Sequence, residues 1–229
     1  GLNSQGVFSH GPPEGGQWTR EALHRHGITG KPVPCSIALT HKYKDGILEK
    51  LKTRICIAGH QGNVTKGIHY HEVFSPSPVQ HTEKLLQAML VNMHLSNLCW
   101  DIEMAYTWAP LPKGERIAVV YPEGFKRVDE NGDEVFAVLE KNLYGMPNAA
   151  RGWGQCRDAF ILEYFNGPGW RCKRCYSDPC LFVIDRWIAS GKASDVNPYP
   201  QADTWKADLR EDYTVDNLPE GVHRTWMLI

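Results

Sequence analysis

The period at which apolar positions recur changes several times along the chain, and each change marks an element. At 18–26, Trp18, Ala22 and Leu23 share one face of a short helix that Thr19 is placed to cap. Gly27, Gly30, Pro32 and Pro34 then break the chain before a strand-like run at 36–40. Residues 43–57 alternate around Asp45-Gly46, which predicts a hairpin. On its second strand Lys52 and Arg54 share one face, and Ile55 and Ile57 share the other. From 81 to 94, Leu85, Leu86, Met89, Leu90 and Met93 recur at helical spacing and predict a core-facing stripe. The run Leu98-Cys99-Trp100-Asp101-Ile102-Glu103-Met104-Ala105-Tyr106 reads as a strand-like core segment holding an acid, and Pro110 and Pro112 enforce a loop after it. A buried strand follows at 117–121, then a turn at Pro122-Glu123-Gly124, a polar turn at Asn131-Gly132 and a strand at 134–139. Residues 148–165 read as a helix with Ala149, Trp153, Cys156, Phe160, Ile161 and Tyr164 inward. Strand patterns return at 181–184 and 225–229. This order of elements predicts an α+β fold.

Composition narrows the class. With 229 residues, 42% of them hydrophobic, the chain can bury a sizeable core. Seven cysteines without a signal-peptide pattern favour free thiols in a reducing compartment. No apolar run is long enough to span a bilayer, so no membrane role is expected. Residues 1–17, rich in Gly, Pro, Ser and Gln, read as a flexible leader, and 190–220 as a polar, acidic, exposed insertion. The start at Gly1 and the strand pattern at the last residues suggest a piece of a longer protein.

Charge adds a local feature that the total of −1 conceals. Between residues 31 and 66, seven Lys or Arg face two acids. The hairpin within that segment reads either as a solvated strand face or as a phosphate-contacting arm. Asp101 alone reads either as a strand-end acid or as a metal or catalytic carboxylate. Cys172, Cys175 and Cys180, with Asp185 as a fourth ligand, have zinc-knuckle spacing, although an apolar strand at 181–184 leaves little room for a knuckle. His69 and His71 read as surface polar residues.

Several blocks in a fixed order then carry a resemblance. Leu51-Lys52-Thr53-Arg54-Ile55-Cys56-Ile57-Ala58-Gly59-His60 is a basic strand ending in Ala-x-Gly, and His71-Glu72-Val73-Phe74-Ser75-Pro76 follows it. Next come Asp101-Ile102-Glu103-Met104-Ala105-Tyr106 and Tyr121-Pro122-Glu123-Gly124-Phe125. Leu143-Tyr144-Gly145-Met146-Pro147-Asn148-Ala149-Ala150-Arg151-Gly152-Trp153 and Asp178-Pro179-Cys180-Leu181-Phe182 complete the set. Over roughly residues 18–229 the chain resembles the reverse transcriptase of copia-type LTR retrotransposons.

The resemblance implies a partial right-hand polymerase: fingers at 18–84, and at 85–229 a ferredoxin-like palm sheet with helices on one face. It implies an RNA-directed DNA polymerase that joins a primer 3′-hydroxyl to the α-phosphate of a dNTP with two Mg2+ ions. Asp101 would be a catalytic metal ligand, with the backbone carbonyl of Ile102 beside it. Lys52 and Arg54 would hold the triphosphate. Tyr106 would be the aromatic gate that excludes a 2′-hydroxyl, which requires the chain to bend after Met104. Asn148 stands where the family usually has a glutamine near nucleotide and template. The implied partners are an RNA or DNA template-primer, dNTP, and neighbouring integrase and RNase H segments of a polyprotein. The implied location is the cytoplasm, the nucleus or virus-like particles.

Thr107, Pro147 and Ala150 depart from the family's usual residues. The family's aromatic-x-Asp-Asp block, which supplies further carboxylates, is not among these residues, so the fragment alone is expected to be inactive. The competing readings are a degenerate nucleic-acid-binding relic and a zinc-binding interaction module.

Overall fold

The computed structural model describes residues 5–60, 62–99, 101–188 and 222–229. The expected insertion at 190–220 and Trp100 lie outside them. The chain divides into two compact units, one made of Gly1–Ser75 and Ile102–Cys156, the other of Pro76–Asp101 and Arg157–Ile229. Both mix helix and strand, as the pattern predicts.

The first unit is built on a five-stranded mixed sheet. Its strands are β1 (Phe8–Ser9), β2 (Val33–Lys44), β3 (Ile47–Ile57), β4 (Ile117–Val120) and β7 (Ala137–Leu139), in the order β1-β7-β4-β2-β3. The pairings are antiparallel except β2 with β4, which run parallel through Val33–Val119 and Pro34–Val120. A small hairpin, β5 (Arg127–Val128) with β6 (Glu134–Val135), stands beside the sheet. Its turn closes because the Asp129 Oδ1 accepts from the N–H groups of Asn131 and Asp133.

The apolar alternation of β4 and β7 fills two cores. Val33, Ile57, Ile117, Val119, Leu139 and Leu143 pack together in one, and Trp18, Leu23, Ala118, Phe136 and Val138 in the other. Helix α1 (Arg20–Arg25) lays Ala22 and Leu23 into the second core, and the Thr19 hydroxyl accepts the Ala22 N–H as its cap. The leader composition misleads at 7–9: Val7 is fully buried, and β1 pairs with β7 at the sheet edge. Two or three apolar residues suffice to dock a segment whose other positions are polar.

The second unit holds a three-stranded antiparallel sheet of β8 (Trp170–Arg174), β9 (Leu181–Trp187) and β10 (Val222–Leu228), with β9 in the middle. Cys172, Phe182, Ile184 and Ile161 form its core. Ile161 comes from α3 (Ala149–Tyr164), whose residues fall in both units.

Several inward assignments on helices need correction. Phe160 and Tyr164 are exposed and stack on each other with ring centroids 5.5 Å apart, because aromatic rings four residues apart on one helix can satisfy each other at the surface. Helix α2 (Gln80–Asn92) forms as expected, but none of its residues is fully buried and Leu85 and Met93 are exposed. Its apolar stripe finds no complete partner among the described residues.

Candidate functional site

The hairpin turns at Asp45-Gly46, both with positive φ (51° and 78°), the turn geometry that matches the twist of a two-stranded ribbon. Its register sets Lys42 opposite Lys50, Thr40 opposite Lys52 and Ala38 opposite Arg54. Those positions share one face, so Lys42, Lys50, Lys52 and Arg54 make a basic strip. On the other face Leu39 pairs with Thr53, and His41 with Leu51. Like charges directly across strands repel, which costs the free ribbon and favours a bound polyanion.

The base of the ribbon is locked to the Leu-Tyr-Gly block. The Ile57 N–H donates to the Tyr144 carbonyl at 2.7 Å. Gly145 has φ +90°, and a side chain there would collide with the Ile57 carbonyl; one at Gly59 would collide with the Gly145 carbonyl. The close approach orients Tyr144. The Arg54 guanidinium lies 5.9 Å from the centroid of its ring, and the Tyr106 ring lies 5.1 Å away on the same residue. Arg54 and Tyr106, 52 positions apart in the sequence, are thus joined through Tyr144, which the sequence marks only as part of the Leu-Tyr-Gly block. The signal that could have singled it out was its place beside a glycine fixed by backbone contact.

The described residues of the run at 98–106 form no strand. Asp101, Ile102 and Glu103 are exposed, Met104 is half-buried in the left-handed region (φ 55°, ψ 37°), and a 3-10 turn covers Ala105–Trp108. Side chains close the backbone locally: the Thr107 hydroxyl bonds the Met104 carbonyl at 2.7 Å, and the Trp108 indole N–H donates to the Glu103 carbonyl at 3.1 Å. Those bonds replace a strand ladder. The apolar side chain of Ile102 is therefore not scaffold; it is 51% exposed. The backbone turns at Met104, and Thr107, the departure from the family's apolar residue, is the buried group that bonds this corner.

Asn148, at the entrance of α3, is 5% exposed, with its Nδ2 3.5 Å from the Oε2 of Glu115. Asp101 belongs to the second unit and is an exposed carboxylate. Among the described residues no three His, Cys, Asp or Glu side chains group as metal ligands. Asp101 offers a hard cation one anionic oxygen donor with a carbonyl beside it, and the donor set of a metal pair is not made up by these residues.

The zinc reading fails on its ligands. Both oxygens of Asp185 are held by arginines, Arg224 at 2.7 and 3.0 Å and Arg171 at 2.9 Å. Cys172 is packed in the core with Phe182 and Ile184, and Cys172, Cys175, Cys180 and Asp185 do not group as metal ligands. His69 is also not a surface residue. It is buried, accepts the Thr65 N–H at Nδ1 and donates from Nε2 to the Lys31 carbonyl, pinning its loop.

Sequence comparison decides the family. The model for "Reverse transcriptase (RNA-dependent DNA polymerase)" matches residues 24–168. The chain belongs to this reverse transcriptase family. The copia-type resemblance is borne out by its relatives. It is 27% identical over 154 residues to the retrovirus-related Pol polyprotein from transposon TNT 1-94 of Nicotiana tabacum, covering 66% of this chain and 11% of that protein. It is 27% identical over 156 residues to the corresponding polyprotein from transposon RE1 of Arabidopsis thaliana, covering 67% of the chain and 10% of that protein. The chain thus spans about a tenth of the length of these relatives. No solved structure matches it. The matched segment contains the ribbon, Asp101, Tyr106, the Leu-Tyr-Gly block and all of α3.

Proposed function

We propose that this chain is the fingers and part of the palm of an RNA-directed DNA polymerase, and that its first unit carries a nucleotide-facing surface. The observation that supports this most is the Arg54–Tyr144–Tyr106 cluster at the base of a basic ribbon. Lys52 and Arg54 offer a point charge and a planar fork to phosphate oxygens from one strand face. Tyr144 restrains Arg54 from behind. Tyr106, packed on the same ring after the Met104 corner, is the residue proposed to test the sugar of an incoming nucleotide.

Asp101 is the residue proposed as a metal ligand, with the Ile102 carbonyl as its neighbour. In the complete polymerase Mg2+ would supply charge stabilisation for nucleotidyl transfer to a primer 3′-hydroxyl. These residues provide one carboxylate toward it, so the chain alone is proposed to bind template-primer and dNTP without extending the primer. The surrounding polyprotein is proposed to supply the remaining carboxylates, and integrase and RNase H activities as neighbours. The tie between Tyr106 and sugar recognition is tested by Tyr106→Val in an active polyprotein segment. The variant is expected to incorporate ribonucleotides on the order of ten- to a hundredfold better relative to deoxyribonucleotides. An unchanged ratio contradicts the role.

A further inference from the structure

We propose that Glu115 is a positioning residue for Asn148, holding its carboxamide in a proton-dependent acid–amide pair at the start of α3, with His71 as the neighbouring charge that tunes the pair. The ligand side of this inference rests on the polymerase reading; the pair itself does not.

The starting point is an unmet hydrogen-bonding need. Asn148 is 5% exposed, and its Oδ1 is buried without a partner among the described residues. Buried acceptors left alone are rare and costly. Its Nδ2 reaches the Oε2 of Glu115 at 3.5 Å, the outer limit of a hydrogen bond, and the Glu115 side chain is itself only 10% exposed. An ionised carboxylate is an acceptor at both oxygens and has nothing to give Oδ1. A protonated one has an O–H to donate and keeps an oxygen for Nδ2. Turning the carboxamide over sets Oδ1 against Oε2, where a proton is needed between them. The first orientation satisfies Nδ2 and leaves Oδ1 unmet, whereas the turned one, with a neutral carboxyl, gives Oδ1 its donor.

The surroundings of Glu115 act in that direction. Burial pushes its carboxyl above the usual carboxylate range, and the charge of His71 opposes the shift. His71 lies on the exposed side with Nε2 3.9 Å from Oε1. Among the described residues, the groups recorded against Glu115 are His71, from the segment between β3 and α2, and the uncharged Asn148. The pair closes while Glu115 carries its proton. As pH rises through its titration the carboxyl loses its only donor, and Oδ1 is released to take another. A nucleobase amino or imide N–H is the class of donor that fits. This also explains how a shorter amide is accommodated where the family has a glutamine: here the side chain is matched to a carboxyl beside it.

The test is an NMR titration of the 229-residue chain between about pH 4 and 8, following the Glu115 carboxyl carbon and the Asn148 side-chain amide. The Glu115 midpoint is expected above the ordinary value of about 4.3, with the Asn148 signals moving on the same curve. His71→Ala should raise the midpoint by removing a cation. Glu115→Gln, which keeps both a donor and an acceptor, should hold the Asn148 signals at their low-pH positions throughout. Asn148 signals that stay flat through the Glu115 titration, or a Glu115 midpoint in the ordinary range, overturn the proposal. Adding a deoxynucleoside triphosphate above the midpoint should shift Asn148 in the wild type and not in Glu115→Gln. A titration that behaves as described with no nucleotide-induced shift would leave the pair standing and remove Asn148 from the nucleotide site.

Discussion

Replacing Asp185 with alanine should strip the second unit of the charge that organises its sheet. Asp185 sits on the central strand β9, directly opposite Arg171 on β8 and Arg224 on β10. Arg224 grips it with two nitrogens at 2.7 and 3.0 Å, and Arg171 adds a third contact at 2.9 Å. The carboxylate side chain is 3% exposed and the Arg224 side chain 5%. Removing the acid takes the shared carboxylate away from two guanidinium groups on the flanking strands, both of them largely buried. Breaking a buried pair from one side costs about 3–5 kcal/mol.

Because the chain has two units, a global unfolding curve would blend them, and hydrogen exchange of the β8–β10 amides is the suitable readout. The expected loss corresponds to roughly two to four orders of magnitude in protection, at about 1.4 kcal/mol per decade. Replacing all three residues together with Leu and Met should recover most of it, since the desolvation cost disappears with the charges. A drop in protection of less than about tenfold for Asp185→Ala would refute the reasoning.

The pH dependence has a definite sign. Burial alone would raise the Asp185 carboxyl, but hydrogen bonds and charge from Arg224 and Arg171 outweigh it and hold the group below its ordinary range. The stabilisation is therefore complete above the unfolded value of about 3.9 and is lost as pH falls through the lower folded one.

Two further perturbations probe other joints. Gly145→Ala should destabilise the first unit by at least about 2 kcal/mol, because it combines a positive φ with a backbone collision at Ile57; unchanged hydrogen-exchange protection of the β2–β3 amides would contradict the lock between ribbon and Leu-Tyr-Gly block. Asp178 accepts the N–H of Val79, the residue before α2, and that of Cys180, both at 2.9 Å. Asp178→Ala should cost about 1–2 kcal/mol and speed exchange at residues 79–83. Hydrogen bonds hold its carboxyl below the ordinary range against burial, so this contribution too fades only as pH drops through that lowered value.

What the sequence made legible were features closed within a few residues. Asp45-Gly46 announced its turn, Thr19 its cap, and the 117–121 run its burial, because each depends on local dihedrals, one hydroxyl or one apolar stretch. The face shared by Lys52 and Arg54 followed from the two-residue period alone.

What stayed hidden depends on partners far away in the chain. No local pattern pairs Val33 with Val119 in parallel, or brings Tyr144 between Arg54 and Tyr106. The spacing of Cys172, Cys175, Cys180 and Asp185 suggested ligands, but spacing could not show that strands on both sides would place an arginine against that acid. The apolar residues around Asp101 suggested a strand, while Thr107 and Trp108, a few residues later, turn the backbone with their own hydrogen bonds. Short apolar runs are ambiguous for this reason: side-chain to backbone bonds can outcompete a ladder that has no partner.

The most direct test of the account concerns Asp101. A polyprotein segment spanning these residues and showing Mg2+-dependent primer extension should be compared with its Asp101→Asn variant, which preserves shape and removes a charge from an exposed position. Extension is expected to fall by several orders of magnitude while template-primer affinity and the hydrogen-exchange pattern of both units stay as they were. Extension at a rate near that of the unsubstituted segment would contradict the assignment of Asp101 as a metal ligand.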